Sequence, residues 1–186
     1  MNFIGIDYSY TSPSVCILGE DFRSSQFYFM NSVKKVCIKY NNYEGTRLVK
    51  EDFLHDVQRY DFVSSWAMSK IKQHYKPGET KIFMEGFAFG STTGLVFNIA
   101  ENGGTLKFKL HNELGEYPTL IAPTSAKKFF TGSGKCGKDG MVMALWKNEG
   151  VDVMKDLGLD GKVRSPVHDI VDSYAIAKMG RDTFKA

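Results

Sequence analysis

The chain has 186 residues, 42% of them hydrophobic, which suffices to bury a core and predicts one domain over residues 1–186. No apolar run approaches a membrane span, so a membrane protein is excluded as an expectation. A formal charge of +3 is only mildly basic. It permits nucleic-acid binding without requiring it, and the distribution of the charges matters more than their sum.

Phe3, Ile4 and Ile6 form an apolar strand that ends in Asp7. That early acid, with no basic segment before it, argues against a secretory signal. A polar turn from Ser9 to Pro13 leads to a second strand, Ser14–Leu18, and residues 25–31 read as a third. The short connections predict an antiparallel meander. Residues 33–40 read as a further edge strand or hairpin arm whose lysines discourage edge pairing. From Glu44 to Tyr75 apolar residues fall at three- and four-residue steps, which predicts one long helix or two, stopped by Pro77-Gly78.

Thr80–Glu85 is again a short apolar strand ending in an acid. A strand on either side of a helix implies a parallel crossover. Gly86–Gly90 is a loop with two aromatics, and residues 91–113 read as a helix interrupted by Gly103-Gly104, where another helix can approach closely. A strand at Tyr117–Ile121 and a short helix from Pro123 to Phe130 follow. Thr131–Gly140 is rich in glycine and lysine, a helix runs from about Asp139 to Glu149, and residues 151–165 are predicted to be a polar loop or broken helix. The last helix carries His168, Asp169 and Asp172 among Ile170, Val171, Tyr174, Ala175 and Ile176.

Carboxylates in an apolar helix are costly unless paired, hydrogen-bonded or bound to a cation. Asp169 and Asp172 are three residues apart and share one helix face. If the strands ending in Asp7 and Glu85 are neighbours and this helix packs on them, four carboxylates meet. Such a set binds hard divalent cations, and two ions can activate water and stabilise the oxygen leaving a phosphodiester. Taken singly, each acid also fits a turn former, a helix cap or a solvated position, and spacing alone does not show that the four converge.

Lys127, Lys128, Lys135 and Lys138 lie in or beside the glycine-rich stretch. A loop of this kind opening a helix can hold phosphate through backbone amides and lysine charge, or can simply be solvated. It is not a nucleotide-binding P-loop, because Asp139 follows Lys138 where Ser or Thr is required. Phe87 and Phe89 follow Glu85 and are candidates for stacking on bases, or for burial in the core. Tyr8, Tyr10, Lys34 and Lys35 are secondary candidates for strand contacts. His168 fits a metal ligand, a proton shuttle or a helix cap. Cys16, Cys37 and Cys136 are odd in number and scattered, which fits inert thiols in a reducing intracellular, cytoplasmic setting.

The order Gly-Ile-Asp7, Met-Glu85, a Gly/Lys loop opening a helix, and His-Asp169-Ile-Val-Asp172-Ser-Tyr-Ala-Ile-Ala resembles the RuvC-like Holliday junction resolvases of the RNase H-like (retroviral-integrase) superfamily. The resemblance spans nearly the whole chain. It implies an α/β fold with a five-stranded mixed sheet, an antiparallel N-terminal meander and helices on both faces. It further implies that Asp7, Glu85, Asp169 and Asp172 hold two Mg2+ or Mn2+ ions, with His168 adjacent. Lys138, and Lys127 or Lys128, match basic residues that contact DNA. Phe87 or Phe89 matches an aromatic at the junction centre. The partners implied are branched DNA and a second copy of the chain, joined through the helix that contains Gly103-Gly104. Extra residues around 32–45 and 151–165 point to a diverged viral, phage or organellar branch. The activity implied is paired phosphodiester hydrolysis at four-way junctions. The alternatives are another RNase H-like nuclease acting on RNA–DNA hybrids or flaps, and a non-catalytic module that binds branched DNA.

Overall fold

The computed structural model describes residues 1–36, 39–86 and 96–185. Seven strands form one mixed sheet: β1 (Asn2–Asp7), β2 (Ser14–Ile17), β3 (Gln26–Asn31), β4 (Lys39–Tyr40), β5 (Tyr43–Arg47), β6 (Thr80–Glu85) and β7 (Thr119–Ile121), in spatial order β4-β5-β3-β2-β1-β6-β7. The helices are α1 (Asp56–Lys72), α2 (Val96–Leu114), α3 (Pro123–Thr131), α4 (Lys138–Glu149), α5 (Val153–Asp156) and α6 (Val167–Lys185).

The meander β1–β2–β3 is antiparallel, as its short turns require. The crossover through α1 makes β6 parallel to β1, with Ile6 opposite Met84. β7 is parallel to β6. Alternation sends Ile4, Ile6, Val15, Met30, Ile82 and Met84 to one face, against Val63, Ala67 and Ile71 of α1 and Leu106 and Leu110 of α2. The opposite face carries Phe27 and Phe29 against Tyr174 and Ile170 of α6 and Met141 and Leu145 of α4. Phe3 and Phe83 pack on Ile176 of α6 and Ala126 of α3. Each such side chain, wholly removed from water, contributes about 1.5–3 kcal/mol, so the two faces of the sheet fix where both helical layers sit.

The α/β class, the meander and helices on both faces match the expectation; the strand count does not. The expectation is five strands; the described residues form seven, because β5 and the two-residue β4 extend the sheet beyond β3. The helical spacing predicted from Glu44 onward overlaps β5 (Tyr43–Arg47). In fact Tyr43 is buried opposite Phe27, and β5 runs parallel to β3. The three- and four-residue spacing of Leu48, Phe53 and Leu54 extended the helical reading backwards. The helix starts only at Asp56, capped by the His55 ring, which accepts from the Gln58 amide, and Leu54 is 93% exposed. Residues 151–165, read as polar, bury Val151, Val153, Leu157 and Leu159 around α5. Four apolar residues among charged ones do not announce a core segment without the partner surface they fill. Cys37, with its neighbour in the 33–40 stretch, lies outside the described residues; Lys34–Val36 form a 3-10 turn.

Candidate active site

Strand parity brings the acids to one face. On β1, Phe3 packs beneath α6 and Gly5 faces it, so Asp7, two residues on, faces α6 as well. On β6, Phe83 lies under α6, and Glu85 therefore points the same way. Because β1 and β6 are parallel neighbours, their terminal acids emerge side by side. α6 comes down onto them along Asp169, Asp172/Ser173, Ile176/Ala177 and Gly180, a stripe at helical spacing. Two glycines let it seat. A Cβ at Gly5 would collide with the Ser173 carbonyl oxygen and the Ala177 backbone, and one at Gly180 with the Phe83 ring. Below the acids, the buried Ser14 and Ser173 hydroxyls lie 3.0 Å apart. Ser173 Oγ donates to the Ile170 carbonyl, which leaves Ser14 as donor to Ser173 and ties α6 to β2.

The electrostatics follow from this convergence. Asp7 is buried, and its carboxyl is held well above the usual range, first by burial and then by Glu85, Asp169 and Asp172; Lys138 opposes them. Glu85 is pushed up to about 7 by burial and then by Asp172, against the pull of Lys127 and Lys138. Asp172 is pushed up to about 6 by burial, with Lys138 opposing and Asp169 adding to the rise. Asp169 is also raised by burial, while the hydroxyls of Ser165 and Ser12, and then Lys138 and His168, pull it down. Asp7, Glu85 and Asp172 are thus each raised by like charges, Asp169 among them, crowded into a low-dielectric pocket. Among the described residues, no group of three or more His, Cys, Asp and Glu side chains closes into a ready-made ion cage. The acids therefore share an electrostatic neighbourhood rather than a finished coordination shell.

The chemistry of this donor set suits a hard divalent cation. All four side chains are oxygen donors, and Asp169 Oδ2 is buried without a hydrogen-bond partner. A buried carboxylate oxygen left unpaired is costly, and a cation is one group that would satisfy it. Ser12 and Ser165, whose hydroxyls lie 3.1 Å apart, support Asp169 and were not among the predicted site residues. The only trace of them in the sequence is a serine in the turn after β1 and another just before the last helix. Neither is distinguishable from ordinary turn chemistry.

The other predicted residues divide. Lys127 on α3 and Lys138 at the start of α4 both act on the carboxylates. Lys128 and Lys135 are exposed. His168 Nε2 donates to Asp139 Oδ1 at 3.2 Å, tying the first turn of α6 to the first turn of α4. Phe87 and Phe89 lie outside the described residues. On the far side of the turn after β1, Arg59 of α1 is buried, stacks on the Tyr10 ring at 4.4 Å and donates to the Tyr10 carbonyl. Tyr10 in turn donates to Asp56 at 2.7 Å. Tyr8 and Tyr10 are thus both buried, rather than presented to a strand.

Acids stand at the carboxyl ends of the adjacent parallel strands β1 and β6, with α6 packed across them, and solved structures show the fold to be RuvC-like. No family model and no curated protein matches the chain. Solved structures do match. The Thermus thermophilus RuvC structure is similar over 97% of this chain and 97% of its own, with TM-score 0.58 and 16% identity. T. thermophilus RuvC in complex with Holliday junction substrate is similar over 95% of this chain and 90% of its own, with TM-score 0.59 and 14% identity. At such identity the likeness is one of fold.

Proposed function

We propose that the chain is a metal-dependent, structure-selective endodeoxyribonuclease that resolves four-way DNA junctions by paired phosphodiester hydrolysis. The observation that carries this reading is the convergence of Asp7, Glu85, Asp169 and Asp172, each raised by burial and most by one another, at one end of a RuvC-like sheet. Asp7, Glu85, Asp169 and Asp172 would hold two Mg2+ or Mn2+ ions, which when bound activate water and stabilise the leaving oxygen. Without metal, Glu85 is pushed up to about 7 by burial and by Asp172, so a bound cation would compete with a proton for its carboxylate. Lys127 and Lys138 offset the negative charge of the acids and would hold the scissile phosphate beside them. His168 acts through Asp139, fixing the turn of α4 that presents Lys138. Lys128 and Lys135 extend the phosphate contact, and Phe87 and Phe89 would meet unpaired bases at the branch point.

Pairing of the two cuts calls for two sites related by symmetry, hence a homodimer. Phe97 and Phe108 on α2 are 77% and 65% exposed, and Gly104 between them faces open space. That apolar stripe supports α2 as the surface where two copies join. No helix among the described residues is long and apolar enough to cross a membrane. Cys16 and Cys136 are unpaired, in keeping with a reducing intracellular setting.

The test is cleavage of a synthetic four-way junction beside an RNA–DNA hybrid and a flap, with and without Mg2+. Expected are symmetric paired nicks in the junction, dependent on Mg2+ and lost in Asp7→Asn. Equal or better cutting of hybrids would reassign the substrate to another RNase H-like nuclease. Junction binding with no cleavage under any metal would make the chain a branched-DNA-binding module. Cleavage that survives in Asp7→Asn would overturn the site.

A further inference from the structure

We propose that a second nucleic-acid contact adjoins the carboxylates, at the end of β3 and in the segment that leads into α6. There Lys34, Lys35, Lys162 and Arg164 hold the phosphate backbone of a duplex arm leading away from the cut. The inference rests on the nuclease reading and extends it.

Topology sets the placement. β3 is antiparallel to β2, which is antiparallel to β1, so β3 runs parallel to β1 and its end at Asn31 opens on the same edge of the sheet as Asp7. Lys34 and Lys35 follow directly, in the 3-10 turn. Lys35 Nζ donates to the Gly158 carbonyl at 3.0 Å, which joins this turn to the segment that precedes α6. Val36, Leu157 and Leu159 are buried in one core cluster, with Val33 and Val163 packed against it. The two stretches thus make one surface. That surface reaches the site itself, because Ser165 accepts from Ser12 and both support Asp169, four residues further along the chain. With strands about 4.8 Å apart, β3 stands roughly 10 Å from β1, within the width of one duplex.

Lys34, Lys35, Lys162 and Arg164 are all exposed. None of the four makes an ion pair with another described residue, whereas Lys70, Lys109 and Lys178 are each neutralised by an acid. Of the acids nearby, Asp156 is already taken by Arg23 and Tyr43, and the exposed Asp160 leaves the four cations in excess. These unpaired cations extend the positive charge of Lys127 and Lys138 around the four carboxylates, which matches a polyanion that passes over the site. A flat anionic membrane would instead press its charge onto the carboxylates.

The experiment measures binding of a synthetic four-way junction in EDTA from 50 to 200 mM salt, for the wild type and for Lys34→Gln/Lys35→Gln/Lys162→Gln/Arg164→Gln. Each lost phosphate contact lowers the slope of log K against log salt by about 0.9, so the loss is about 3.6 for all four. A triple variant that retains Lys35, and with it the bond to Gly158, covers any loosening of that segment; it should lose about 2.7. Intact binding with an unchanged slope in both variants overturns the inference and leaves the nuclease reading to the Asp7→Asn assay. A wild type that binds no DNA, either in EDTA or with Ca2+ present, overturns both. An unchanged DNA slope with lost binding to phosphatidylserine vesicles reassigns the patch to membranes and overturns the inference as well.

Discussion

Replacing Glu85 by Gln should stabilise the metal-free protein at pH 8 while abolishing cleavage. The Glu85 carboxyl is pushed from its ordinary 4.5 up to about 7 by burial and by Asp172. For a group whose folded value is raised, the stabilising contribution is complete below the unfolded value and is lost as pH rises through the folded one. The charged form at pH 8 therefore costs about 3 kcal/mol relative to the unfolded chain. Gln removes that charge and keeps the shape, but it leaves a partly buried amide to satisfy. The expected net gain is about 1–3 kcal/mol, or several degrees in Tm for a chain of this size. Urea and thermal melts in EDTA at pH 8 and pH 4.5 measure it. At pH 4.5 the wild-type carboxyl is protonated and its penalty is almost gone, so the advantage of Gln should nearly vanish. Mg2+ at pH 8 should stabilise the wild type and do much less for the variant, because bound ions offset the same repulsion. If Glu85→Gln is neutral or destabilising at pH 8 in EDTA, Glu85 is not under the strain ascribed to it and the convergence argument fails.

Other perturbations probe separate parts of the reasoning. Gly5→Ala should destabilise by about 1–3 kcal/mol or more in urea melts, since its Cβ would meet the α6 backbone at Ser173 and Ala177; a neutral result would mean that α6 does not seat on β1. Lys138→Gln removes a charge that lowers Glu85 and Asp172. Its cleavage should therefore gain the ionised, active form only at higher pH, and an acid limb that stays put in the pH–rate profile would remove Lys138 from the site. Phe97→Glu/Phe108→Glu should convert a dimer to a monomer in sedimentation and uncouple the two nicks; a variant that still sediments as a dimer would place the joint elsewhere. A chain ending before His168 should lose cleavage and melt less cooperatively, because α6 supplies half the acids and much of one core face; retained cutting would sink the role of Asp169 and Asp172.

Much of the architecture is written locally. β1, β2, β3 and β6 each announce themselves as short apolar runs between turn residues, because burial on both faces of a sheet leaves a continuous hydrophobic signal. The helices α3, α4 and α6 show their periods and their glycine or proline punctuation. β5 does not, since Tyr-Glu-Gly-Thr-Arg has a single buried large residue, Tyr43, and is a strand only because β3 offers a parallel edge. The buried residues around α5 are likewise defined by the cluster they complete.

The candidate site divides along the same line. The sequence by itself supplied four acids in places where acids are expensive: two at strand ends and two in an apolar helix. That cost is a local property and can be read residue by residue. Their meeting is not local. It depends on the parallel β1–β6 register, on the shared parity of Asp7 and Glu85, and on Gly5 and Gly180 letting α6 lie close enough for Asp169 and Asp172 to face them. The same holds for His168, which the sequence left open between ligand, proton shuttle and cap. The docking of α4 beside α6 gave it Asp139 as a partner. Side-chain chemistry is carried by each residue alone, whereas charge repulsion falls off with distance in space, and only the packed sheet and helix set those distances.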